Sequence, residues 1–195
     1  MSSRNYEDIV KEMLADIDKK TQPLPPTTII RNSMTTPDGT RIVSRKRHDY
    51  TSHEDANGKT YAVDGGTAYR RRVGDWNDCT EDSVMYYHGH AAVREAFEWG
   101  TYGKDGKEAL RYVKVMDMSN EHLTAIIDGN SNTWPIMAAE LDWRLSPARR
   151  KMVRKKDIER LQELVAEEEE GSEEAQYYMD IMMPIITEFN NNEFD

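Results

Sequence analysis

The sequence predicts an α+β fold: a small antiparallel sheet flanked by helices, with an N-terminal helix and a C-terminal helical pair. Three observations carry this expectation. Apolar residues recur at helical spacing over the first twenty positions, short strand-like runs separated by turn dipeptides fill Thr28 to Gly66, and helical spacing returns after Pro147. The 195 residues are expected to divide into an amphipathic helix over 1–20, a Pro-rich linker over 21–28, an α+β core over 29–145 and a helical appendage over 146–195.

Tyr6, Ile9, Val10, Met13, Leu14 and Ile17 fall on one stripe of the first helix, with Ser3 or Asn5 to cap it and Glu7 and Asp8 at the positive end of its dipole. Pro23, Pro25 and Pro26 end it, because proline has no N–H to continue the helical ladder. From Thr28 the pattern becomes that of strands at 29–34, 40–45 and 59–63. Pro37-Asp38-Gly39 and Asn57-Gly58 are the turns between them. Thr51–Glu54 is the upstream arm that an Asn-Gly hairpin requires, and its polarity leaves its strand character open. The segment 68–73 is ambiguous and 74–82 reads as a polar loop. A helix near Gly89 carries Val93, Ala96 and Phe97 and is expected to stop at Gly100. Lys104-Asp105 turns the chain into a strand over 110–116. Ser119 caps a helix bearing Leu123, Ile126 and Ile127, and Asn132 or Thr133 opens one bearing Ile136, Met137, Leu141 and Trp143. Ser146-Pro147 is a cap followed by proline at the first helical position, for a helix running to Glu170. Gly171-Ser172 separates it from a last helix over 173–189, interrupted at Pro184.

Thirty-six acids against 26 lysines and arginines give a formal charge of −10. Such a surface repels nucleic-acid backbone and anionic membrane, so neither is an expected ligand. One cysteine, Cys79, excludes an internal disulfide and a multi-cysteine zinc site. No apolar run reaches membrane-spanning length, and MSSRNYEDIVKEM has charges where a signal peptide needs an apolar region; the cytoplasm is the expected compartment. No phosphate-cradling P-loop, G-x-S-x-G or H-E-x-x-H occurs. No cofactor is expected.

Two basic blocks are the candidates for ligand binding. Arg45, Arg47 and His48 close a strand end, and guanidinium forks match phosphate oxygens. His48 beside Asp49 is the candidate acid–base pair for catalysis on nucleotide or nucleic-acid phosphates. Arg70, Arg71 and Arg72 are adjacent, so they cannot all face one way; convergence of one of them with the first block would build an anion site. The alternative for both blocks is solvated charge paired with the abundant carboxylates. His88 and His90, with Asp75, Asp78 and Cys79 upstream, are zinc-ligand types without a recognised spacing, and no metal is expected; capping of the next helix is the simpler role. His122, in a helix's first turn, needs no function.

The two last helices are the candidate interface. Arg149 to Lys156 concentrate positive charge in the first half of the helix after Pro147, and Glu163 to Glu170 negative charge in the second, opposite to what the dipole favours. An antiparallel helix, or a second copy by two-fold symmetry, would pair these halves through Arg150, Arg154, Glu167 and Glu168. The final helix is apolar on more than one side, and Tyr178, Ile181, Met182 and Ile185 are the residues expected to meet a partner.

The blocks TPDGTRIVSRKRHDY, DANGKTYAVDGG with the following YRR, EAFEWGTYGKDGKEALRYVKVMDMSNEHLTAIIDG and AELDWR resemble a group of small tailed-bacteriophage proteins of unassigned function, over about Thr36 to Arg144. The resemblance implies a setting, the cytoplasm of an infected bacterium, and brings no reaction or catalytic residue. In that setting the expectation is a homo-oligomeric accessory protein that acts by binding a host protein or an anionic small molecule. An acidic phage protein can also imitate the phosphate row of DNA, which requires its carboxylates on one face.

Overall fold

The computed structural model describes residues 24–74, 77–129 and 134–191, together with Asp8, Glu12 and Ala15. The N-terminal helix expected over 1–20 and most of its linker lie outside the described residues; Asp8, Glu12 and Ala15 are helical and exposed. The expected caps at Asn132 and Thr133 also lie outside them. The fold is α+β and divides into two compact units: Pro26–Lys114, which holds the strands and one helix, and a second, helical unit whose described residues are Asp8, Glu12, Ala15, 24–25, 115–129 and 134–191.

The first unit holds two small antiparallel sheets and a hairpin. In one sheet β1 (Ile29–Thr35) is central, flanked by β2 (Arg41–Ser44), β6 (Thr80–Glu81) and β7 (Val84–Met85); in the other β4 (Thr60–Asp64) lies between β3 (Thr51–Glu54) and β5 (Arg71–Val73). Turn chemistry sets both hairpins. Thr36 N donates to Thr40 O (2.9 Å) around Pro37-Asp38-Gly39, and Asp55 N donates to Lys59 O (2.9 Å) around Asn57-Gly58. Thr51–Glu54 is thus a strand, the arm the Asn-Gly turn needed. Met34, Ile42, Tyr61 and Val63 form a buried cluster with Cys79 packed against it. Thr51 Oγ1 donates to Val43 O (2.8 Å), tying β3 to β2.

The helix α1 (Gly89–Ala96) ends at Phe97, not at Gly100. Gly100 instead belongs to β8 (Glu98–Thr101), paired with β9 (Arg111–Lys114) so that Gly100 lies opposite Tyr112. The cross-strand pairing outweighs the stop signal: a Cβ at Gly100 would meet Leu110 Cδ1 at 3.2 Å, so the glycine makes room for side chains folded across it. The polar segment 74–82 likewise supplies β6, because its register with Met34 and Thr35 satisfies backbone that a loop would leave to water.

The second unit begins with a 3-10 turn at Val115–Asp117, followed by α2 (Asn120–Asp128), α3 (Trp134–Leu145), α4 (Pro147–Glu167) and α5 (Glu173–Asn191). Ser119 and Ser146 cap as their positions predict, accepting from His122 N (3.2 Å) and Arg149 N (3.3 Å). The core expected over 29–145 and the appendage expected over 146–195 share the second unit from Val115 on. Leu123, Ile127, Ile136, Met137 and Leu141 are buried with Leu161 and Leu164, and Arg150 Nε donates to Trp143 O (3.0 Å), so α2 and α3 belong with the helical pair. No helix among the described residues is long and apolar enough to cross a membrane.

Candidate anion-binding site

The first basic block becomes a turn. Asp49 N donates to Lys46 O (3.1 Å), His48 takes a left-handed φ of 62°, and Asp49 Oδ2 accepts from Arg45 N (2.8 Å). One oxygen of the Asp49 carboxylate thus closes the turn on itself. Gly66 lies directly against this turn. A Cβ there would overlap the Lys46 backbone nitrogen, and Gly66 N donates to Ser44 Oγ (2.9 Å). This close backbone approach brings the two basic blocks together.

Within the second block, strand alternation sorts the arginines. Arg70 and Arg72, two apart, both reach Glu81, Arg70 at 2.6 Å, while Arg71 faces the other way, opposite Asp64 in the β4–β5 register. Asp64 is 8 % exposed and accepts from Tyr69 Oη (3.0 Å). The hydrogen bond to Asp64, then burial and that carboxylate's charge, push the Tyr69 hydroxyl pKa up, whereas the charges of Arg47 and Arg71 both pull it down. His48 completes the group, its ring 6.5 Å from that of Tyr69 in an edge-on arrangement.

Of the expected ligand residues, His48 lies against the Tyr69 ring and Arg47 and Arg71 act by charge on its hydroxyl, whereas Arg45, Arg70 and Arg72 are held by carboxylates. Arg45 pairs with Glu98 and lies over the Tyr112 ring at 5.4 Å; Arg41 pairs with Asp82 (2.5 Å). Among the described residues, no carboxylate forms an ion pair with Arg47 or Arg71. Two guanidiniums against one enclosed carboxylate leave a net positive site at the surface. Tyr69 was missed by sequence reasoning, since a tyrosine carries no signal until the Gly65-Gly66 turn folds it back.

The histidine–carboxylate contact that does form is His53 Nε2 to Asp38 Oδ2 (2.7 Å), between residues fifteen apart. Thr36 Oγ1 donates to Asp38 Oδ1 (2.6 Å) and Thr40 N to the same oxygen (3.0 Å). Together these donors hold the Asp38 carboxyl well below the usual carboxylate range. His88 Nδ1 accepts from Met85 N (3.1 Å), a cap of the 3-10 turn before α1, and burial pushes its pKa down. Asp75 lies outside the described residues; among the described ones no group of three His, Cys, Asp or Glu is placed to hold a metal.

The expected interface residues of the helical pair divide differently. Arg154 is 6 % exposed, with NH2 2.6 Å from Glu188, NH1 3.7 Å from Asp157 and its guanidinium 5.1 Å from the Trp143 ring centre. Met182 and Ile185 are buried in the same α4–α5 seam. These three make internal contacts rather than partner contacts: α5 supplies Glu188 to the basic half of α4, and it carries no Lys, Arg or His for the acidic half. Arg150 is half-buried through its bond to Trp143 O. Glu167 is exposed, while Glu168, Tyr178 and Ile181 are half-buried.

No family model, curated protein or solved structure matches this chain.

Proposed function

We propose that this is a binding protein for a phosphorylated, anionic ligand, held by Arg47, Arg71 and His48 around Tyr69. The observation that supports this reading is the sorting of the arginines: Arg41 and Arg45 each pair with a carboxylate, Arg70 and Arg72 share Glu81, and Arg47 and Arg71 form no ion pair among the described residues while both act on the Tyr69 phenol. Guanidinium pairs of this kind recognise phosphate oxygens through charge-assisted hydrogen bonds. The setting implied by the sequence blocks is a phage accessory protein in an infected bacterium, where the ligand is a nucleotide sequestered from the host or a phosphorylated host protein. Binding rather than turnover is favoured because Asp49 serves the turn, its Oδ2 accepting from Arg45 N.

Titration calorimetry with ATP, ADP and inorganic pyrophosphate tests it. Arg47→Gln and Arg71→Gln should each weaken binding on the order of tenfold, and Arg70→Gln, already paired with Glu81, by less than about twofold. Absence of binding for all three phosphates at about millimolar concentration, where even weak specific sites register, would remove the proposal.

A further inference from the structure

The charge of this protein is confined to its end. Residues 161–195 hold eleven of the 36 acids and no lysine, arginine or histidine, so this segment alone carries −11 and the rest of the chain is close to neutral at +1. Most of the segment is the end of α4 and all of α5, an element whose inner face is already filled by Ala175, Met182 and Ile185. Its outer side nevertheless carries an apolar stripe along each flank. Met179 (40 % exposed) and Met183 (52 %) stand one helical turn apart, with half-buried Ile186 continuing their stripe. On the other flank Tyr177 (49 %), Ile181 and exposed Pro184 form a second stripe. Between them run Gln176, Asp180 and Thr187, with Glu173 and Glu174 at the helix start. Pro184 has no N–H for the carbonyl of Asp180, which leaves one further acceptor in the middle of the face.

We infer that the outer face of α5 is a docking surface for a basic amphipathic segment of another protein. Flexible, polarizable methionines beside tyrosine make an adaptable apolar contact, and the surrounding carboxylates select positive charge on the partner's rim. A second copy of this chain is the wrong occupant. Two such faces would bring the −11 segments together, and Arg149 and Arg154, which sit on α4, are already bound to Asp142 and Glu188. Pairing with the same face of another copy is therefore opposed by charge at every point where it would be favoured by apolar contact. This inference is independent of the anion site, which lies in the other unit.

The test is binding of synthetic helices to the full chain, read by fluorescence anisotropy. The probe is a peptide of about 20 residues with Leu on one face and Lys on the other, long enough for five turns. Controls are the same composition scrambled so that no apolar face exists, and a Leu/Glu helix. The Leu/Lys helix should bind, weaken as salt rises from about 0.05 to 0.5 M, and lose on the order of tenfold with Met179→Gln/Met183→Gln. Both methionines are exposed, so circular dichroism should be unchanged. Equal binding of the scrambled peptide, or indifference to the methionine substitutions, would reduce the surface to diffuse charge and overturn the inference. A dimer in sedimentation equilibrium that Met183→Gln dissociates would also overturn it, by showing the occupant to be a second copy.

Discussion

Arg144 Nε donates to Glu140 Oε1 at 2.7 Å, and Glu140 is wholly enclosed. The same guanidinium donates to the carbonyls of Met118 (2.6 Å), Val115 (3.1 Å) and Met116 (3.0 Å) and to Asn120 Oδ1 (3.0 Å). One side chain therefore neutralises a buried acid and fastens the entry of the helical unit to α3.

Removing that side chain takes a cation from buried Glu140 and its donors from the carbonyls of Val115, Met116 and Met118. Arg144→Ala should destabilise the helical unit by about 3–5 kcal/mol in urea unfolding, whereas the double change Glu140→Leu/Arg144→Met should recover part of the loss. A single-variant effect below about 1 kcal/mol would mean that water or other groups replace the guanidinium.

Arg154 and Glu188 offer a contrast between enclosed and exposed members of one ion pair. The side chain of Arg154 is 7 % exposed and that of Glu188 41 %. Arg154→Ala, which also strips a cation from buried Asp157, is expected to cost about 3 kcal/mol, and Glu188→Gln less than about 1 kcal/mol. Thermal melts of the two variants compared side by side decide it; equal shifts would contradict the assignment.

Acid stability should depend on Asp38. Its folded pKa is depressed, so the stability it contributes is complete above the ordinary carboxylate value of about 4 and is lost as pH falls below that toward the folded pKa. Asp38→Asn should therefore lower stability at neutral pH and flatten its decline below about pH 4. The check is a set of urea midpoints across the acid range; unchanged acid dependence in the variant would show that Asp38 is not the titrating group.

Gly66 and Gly106 both have positive φ, 49° and 68°, but only Gly66 faces backbone. Gly106→Ala meets open space and should cost about 1 kcal/mol from the left-handed conformation alone. Gly66→Ala adds overlap with Lys46 and should cost several times more, roughly 3 kcal/mol or above, and weaken phosphate binding because it separates the two arginine blocks. Similar stabilities for the two variants would show the close approach to be relaxed at little cost.

Much of the local structure was legible because its causes are local. The caps at Ser119 and Ser146, the Pro37–Gly39 and Asn57-Gly58 turns and the helix period after Pro147 depend on neighbours within four residues. The strand at Glu98–Thr101 was hidden because a glycine reads as a helix stop until Tyr112 is known to lie across from it. The turn role of Asp49 was hidden for a similar reason: adjacency in sequence does not tell where a side chain is directed, and Asp49 found a backbone donor four residues back.

By itself the sequence determined the α+β class, the turn positions, the opposed charge halves of α4 and the concentration of acid after residue 160. Composition and short-range periodicity are properties of the chain before it folds, so they survive any arrangement. Only the tertiary structure decided which arginines keep their charge and which are neutralised. Arg71 and Arg72 are chemically identical neighbours, and the pleat of β5 sends Arg72 to Glu81 and Arg71 to the opposite side. The same holds for α5: its several apolar sides are written in the sequence, but which of them is consumed by α4 follows from how two helices meet, and that leaves Met179 and Met183 outside.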